Sequence, residues 1–117
     1  MGSTSFKLTV RSGPKVRHER FETLDDALEA LEREGRELEG GADAPAVGGA
    51  LMRRIEPVQQ VVGRLELAGP GRLHVGVDVR GDGSSEAFTG RLRRRLLEQG
   101  PRESAYEVLR RTLMEHP

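Results

Sequence analysis

Arg72-Leu-His-Val-Gly-Val-Asp-Val-Arg80 alternates without a break: Leu73, Val75, Val77 and Val79 fall on one side, Arg72, His74, Gly76, Asp78 and Arg80 on the other. A period of two marks a strand with one face in a core and the other toward water. This stretch predicts an antiparallel sheet covered on one face only, because buried parallel strands lack such alternation.

Working back from it, Ala68-Gly69-Pro70-Gly71 supplies a turn, and Val58 to Leu67 predicts the partner strand, with Val61, Gly63, Leu65 and Leu67 on one face. Near the start, Phe6, Leu8 and Val10 alternate with Lys7, Thr9 and Arg11. A Ser12-Gly13-Pro14-Lys15 turn then leads to a returning strand from Val16 to Glu22. Thr23-Leu-Asp-Asp26 fits a capping box, and Leu24, Ala27, Leu28, Leu31 and Leu38 follow at helical spacing until Gly40-Gly41. The small-residue stretch 40–50 predicts a flexible loop.

Working forward, Gly81 to Ser85 breaks the strand, and Ala87, Phe88, Leu92, Leu96 and Leu97 predict a helix ended by Gly100-Pro101. Ser104-Ala-Tyr-Glu107 is a second capping box, opening a terminal helix with Val108, Leu109, Thr112 and Leu113 inward. The expected fold is one α+β domain over residues 1–117, a two-layer sandwich in ββα-ββαα order. Four antiparallel strands carry three helices on one face, with a faint pseudo-repeat in the two Gly-Pro hairpins.

Size and composition agree with one domain. The chain has 117 residues, of which 35% are hydrophobic and 32% charged, and two separate cores would each be too small. The absence of Trp, with one Tyr and three Phe, leaves a core of Leu and Val and no aromatic platform for bases or sugars. The absence of Cys excludes disulfides, thiolate chemistry and Cys-type zinc sites. No apolar run nears the ~20 residues of a membrane span and no leader opens the chain, so the expected location is the cytoplasm. Arg-, Gly- and Ala-rich usage with only two Lys suggests a GC-rich bacterial genome.

No catalytic constellation is legible. Asp78, Asp82 and Gly83 match three positions of a calcium loop, yet Arg80 and Thr89 stand where oxygen ligands belong, so a plain turn is expected. Glycines and serines at 81–85 lack the Gly-Lys-Ser/Thr ending of a phosphate loop. His18, His74 and His116 have no carboxylate pattern that would make a metal site. No metal and no cofactor is expected.

Two binding readings remain. The first is a non-catalytic module that self-associates as a homodimer or docks on a protein partner through the terminal helix, at Val108, Leu109, Leu113 and Met114. The second is nucleic-acid backbone binding through arginines on the open sheet face: Arg11, Arg17, Arg64, Arg72 and Arg80. Net charge is zero, which removes any global attraction to nucleic acid, although residues 1–50 carry seven basic and ten acidic groups (−3) and residues 51–117 twelve and nine (+3).

Overall fold

The computed structural model describes residues 5–41 and 60–115. One six-stranded antiparallel sheet runs in the order β2-β1-β3-β4-β5-β6, with helices α1 and α2 on one face. The elements are β1 Phe6–Ser12, β2 Lys15–Phe21, α1 Leu24–Gly40, β3 Val61–Ala68, β4 His74–Arg80, β5 Ser85–Thr89, β6 Arg95–Leu96 and α2 Ala105–Glu115. The expected loop at 40–50 falls, from residue 42 onward, outside the described residues, as do Val58 and His116.

Gly13 has φ 60, and the ring of Pro14 fixes its own φ near about −65°. That pair is a type II′ turn, the two-residue connection whose twist matches a hairpin. It sets the β1–β2 register from Ser12↔Lys15 to Phe6↔Phe21. α1 begins as expected: the Asp26 N–H donates to Thr23 Oγ1 at 3.1 Å, and Gly41 caps the far end through Glu37 and Glu39 carbonyls. α2 opens on a complete capping box, with the Glu107 N–H on Ser104 Oγ and the Ser104 N–H on Glu107 Oε1.

The core lies between helices and sheet. Leu8, Val10, Leu65, Leu67, Val75, Val77, Val79 and Ala87 face Ala27, Leu28 and Leu31 of α1 and Val108, Leu109 and Leu113 of α2. Each fully buried Leu or Val contributes about 1.5–3 kcal/mol. The helices meet where the Tyr106 ring lies against the bare backbone of Gly35. The Tyr106 hydroxyl and Ser85 Oγ both donate to Glu39 Oε2, at 2.5 and 2.6 Å, and Arg36 stacks over the ring. Burial first, then the Glu39 bond, pushes the Tyr106 phenol above its ordinary range, so it stays a donor.

The sequence reading of residues 85–97 as a helix is corrected: this segment forms β5 and β6, so the sheet has six strands and the helices number two among the described residues. Alternation explains it. Ala87 pairs with Val77 and points into the core, while Phe88 pairs with Gly76 and points to the opposite, outer face. A strand sends successive residues to opposite faces, which is what separates these two. Phe88 is 1% exposed because Gly76 has no side chain in its way and Arg94 stacks on its ring, 4.7 Å from the centroid. A Cβ at Gly76 would meet the Leu65 carbonyl and the Phe88 ring.

A wider sheet needs more apolar cover, and α2 supplies it. Val108, Leu109 and Leu113 are buried in the core and offer no surface to a partner; of that set only Met114 is exposed, at 72%. The supposed repeat also ends here, since β5 and β6 intervene before the second helix. Among the described residues no helix is long and apolar enough to cross a membrane.

Three outcomes follow from the packing and the caps. Gly76→Ala should cost about 3 kcal/mol in urea unfolding, the upper range of overpacking. Gly40→Ala, with open space at its Cβ, should be neutral or stabilising by up to ~1 kcal/mol. Glu103, bonded first to Arg111 and then to the Gly100 N–H, is held below its ordinary 4.5, at about 2. Its folded value is the lower one, so this stabilisation is complete above about 4.5 and is lost as pH falls toward 2. Glu103→Gln should flatten that acid limb in a series of melting temperatures against pH.

Candidate functional site

Register places three cross-strand rows on the outer face. The central row is His18, Thr9, Glu66, Gly76 and Phe88; beside it run Arg20, Lys7, Ala68 and His74; on the other side run Val16, Arg11, Arg64, Asp78 and Glu86. Neighbours along a row stand about 4.8 Å apart, one strand spacing.

The row of Arg64 is closed by ion pairs. Arg64 Nε donates to Asp78 Oδ1 at 2.6 Å and its Nη2 to Oδ2 at 3.3 Å, which raises the guanidinium further above its ordinary value. Asp78 is only 8% exposed. Arg80 Nη2 donates to Glu86 Oε1 at 2.9 Å. These pairs tie β3, β4 and β5 together and have few donors left for a ligand.

The other end of the face opens into a groove of about 930 Å³. Its lining carries Lys7, Arg11, Arg72 and Arg91, with His18 and His74, against one carboxylate, Glu66. That carboxylate is already shared: Arg11 Nε lies at 3.4 Å, His74 Nε2 at 3.3 Å and Arg94 Nη2 at 3.8 Å. The Nδ1 of His74 faces the Gly90 carbonyl at 3.2 Å, so both of its ring nitrogens meet acceptors. Lys7, Arg72 and Arg91 make no ion pair with a described residue, and the groove is therefore a ring of cations around one satisfied acid.

Each of these three cations is held up by local backbone. Lys7 rides the outward parity of β1. Arg72 sits in the Pro70–Leu73 turn at φ 63, after Gly71 at φ 68. A left-handed residue with a Cβ costs about 1–2 kcal/mol, a conformation most at home in Gly or Asn. Arg91 projects from the 90–94 loop, entered through Gly90 at φ 97, whose N–H donates to the His74 carbonyl at 2.8 Å. Leu92 stands beside it, 93% exposed.

Of the five arginines expected on this face, Arg11 and Arg72 line the groove, whereas Arg64 and Arg80 sit in the paired row. Arg17 is corrected: it shares the parity of Val10, so it points to the helix side and pairs with Glu34 of α1. Arg91 joins the groove although the sequence spacing of its segment predicts a helix. Glu19 pairs with Leu8 and so lies on the helix side as well.

Thr9 Oγ1 lies 3.0 Å from His18 Nδ1, the separation of a hydroxyl and a base. No described residue orients the far nitrogen of His18, as an activated nucleophile would need. Asp25 and Asp26 in the first turn of α1 cluster with Glu29 one turn on, all exposed; helix polarity accounts for the first two, and Asp25 is engaged by Arg110. No family model, curated protein or solved structure matches the chain.

Proposed function

We propose that this domain is a non-catalytic module that binds the phosphate backbone of a nucleic acid along the outer face of its sheet. The observation carrying the reading is the groove itself, with four Lys/Arg side chains about one carboxylate that two arginines and His74 already share. The net charge of zero does not oppose it, because acidic residues of α1 lie on the other face of the sheet.

Three further features shape the ligand. No Phe, Tyr or Trp lines the groove, so recognition rests chiefly on phosphates. The surface is concave, which suits a strand of polymer better than a bilayer plane. Leu92 alone would give a membrane only about 2 kcal/mol of apolar insertion. Arg72 holds a strained backbone while carrying a guanidinium to the rim, the kind of cost retained where a side chain has work to do.

Fluorescence anisotropy with a short labelled duplex, across a salt series, tests this. Wild-type protein should bind at low salt. Joint replacement of Lys7, Arg72 and Arg91 by Ala should weaken binding and reduce the salt slope by up to ~0.9 per lost contact. Glu66→Gln, which removes the one acid, should strengthen it. Arg72→Asn should weaken binding while raising stability by about 1 kcal/mol. Wild-type protein that ignores the duplex, or a triple variant that binds as well, would overturn the reading. Retention on anionic vesicles in place of the duplex would assign the groove to lipid headgroups.

A further inference from the structure

Beyond ligand binding, we infer that two copies of this chain pair along β2, antiparallel about a two-fold axis at His18, to join their sheets. β2 is the open edge. It has seven residues without a bulge or an internal Pro, six of them exposed, and only β1 beside it among the described residues. The opposite edge, β6, is two residues long. Long regular edges are the ones that recruit another strand, whereas short edges are blunted.

Hairpin geometry tells which groups point outward. The two-residue turn closes on the Ser12–Lys15 pair, and hydrogen-bonded pairs then recur at every second position. Val10–Arg17, Leu8–Glu19 and Phe6–Phe21 therefore exchange bonds within the hairpin. The N–H and C=O of Val16, His18 and Arg20 face the open edge. A second β2 can use those three only in a register that sets Val16 opposite Arg20 and His18 opposite itself.

That register fixes the charges. Arg17 of each copy falls opposite Glu19 of the other, two complementary pairs on the helix face, where Arg17 also bonds Glu34 of its own α1. Lys15 falls opposite Phe21 and Arg20 opposite Val16, so no like charges are paired directly, and at the axis the two His18 imidazoles meet. The order Lys-Val-Arg-His-Glu-Arg-Phe is thus matched to its own reverse. A shift by two residues would set Arg17 against itself or Glu19 against itself.

The axis stands perpendicular to the sheet, so both outer faces end on the same side. His18 lines the cationic groove, and the two β1 strands would lie only about 14 Å apart, three strand spacings. Pairing would therefore join two half-sites into one longer basic surface.

Sedimentation of purified protein over a concentration series tests the pairing. Wild type should form a dimer. His18→Pro removes an outward N–H and leaves the hairpin bonds in place, and it should weaken the dimer about tenfold or more. Glu19→Arg and Arg17→Glu should each be monomeric alone and should form a one-to-one dimer when mixed, since each then supplies the charges the other lacks. Circular dichroism confirms that each variant is folded. A monomeric wild type, a dimer unaffected by His18→Pro, or mixed variants that stay apart would each overturn the inference. None of these outcomes depends on nucleic acid, so the two proposals fail separately.

Discussion

Phe88 lying across Gly76 is the contact on which the rest of the outer face depends. β4 is the central strand here, and it is buried on both sides: Val75, Val77 and Val79 beneath the helices, Gly76 beneath the Phe88 ring. The ring fits only because residue 76 has no Cβ. Arg94 then closes over Phe88 and reaches toward Glu66, drawing the 90–94 loop against the sheet. Gly90 bonds to His74 from the same loop. Take away the fit at Gly76 and the loop loses its anchor, the groove loses the wall that carries Arg91, and β5 loses its register.

That dependence explains what the sequence disclosed and what it hid. β1, β4, α1 and both capping boxes were legible because their signals are local: alternation along one strand, or a hydroxyl three residues before an amide it accepts. Residues 85–97 were not. Ala87, Phe88, Leu92, Leu96 and Leu97 match helical spacing, yet Ala87 and Phe88 separate to opposite faces and Leu92 stands in solvent. Nothing near them announces that their partner is a glycine twelve positions earlier. The consequence reaches α2. With four strands the apolar residues of α2 look surplus; with six they are needed as cover, and Val108, Leu109 and Leu113 go to the core.

Electrostatics follows the same logic of faces. A formal charge of zero hides a division between sides. Parity sends Arg17 and Glu19 toward the helices, and Lys7, Arg11, Arg20 and Arg64 away from them. Within the outer face, Asp78 and Glu86 neutralise the row of Arg64, leaving positive charge concentrated toward Lys7, Arg72 and Arg91 around Glu66. Counting charges along the chain could not reveal this; knowing the register does. The strained turn at Arg72 was equally hidden, because Gly-Arg in a turn leaves no mark in composition.

The central claim is that the basic end of the outer face is a phosphate-binding surface. Its most direct test is a titration of isotope-labelled protein with a short unlabelled duplex, followed residue by residue through amide chemical shifts. The account predicts shifts that grow together at Lys7, Thr9, Arg72 and the 90–94 loop, fade with added salt, and spare α1 and α2. Shifts confined to the helices, or none at low salt, would contradict it.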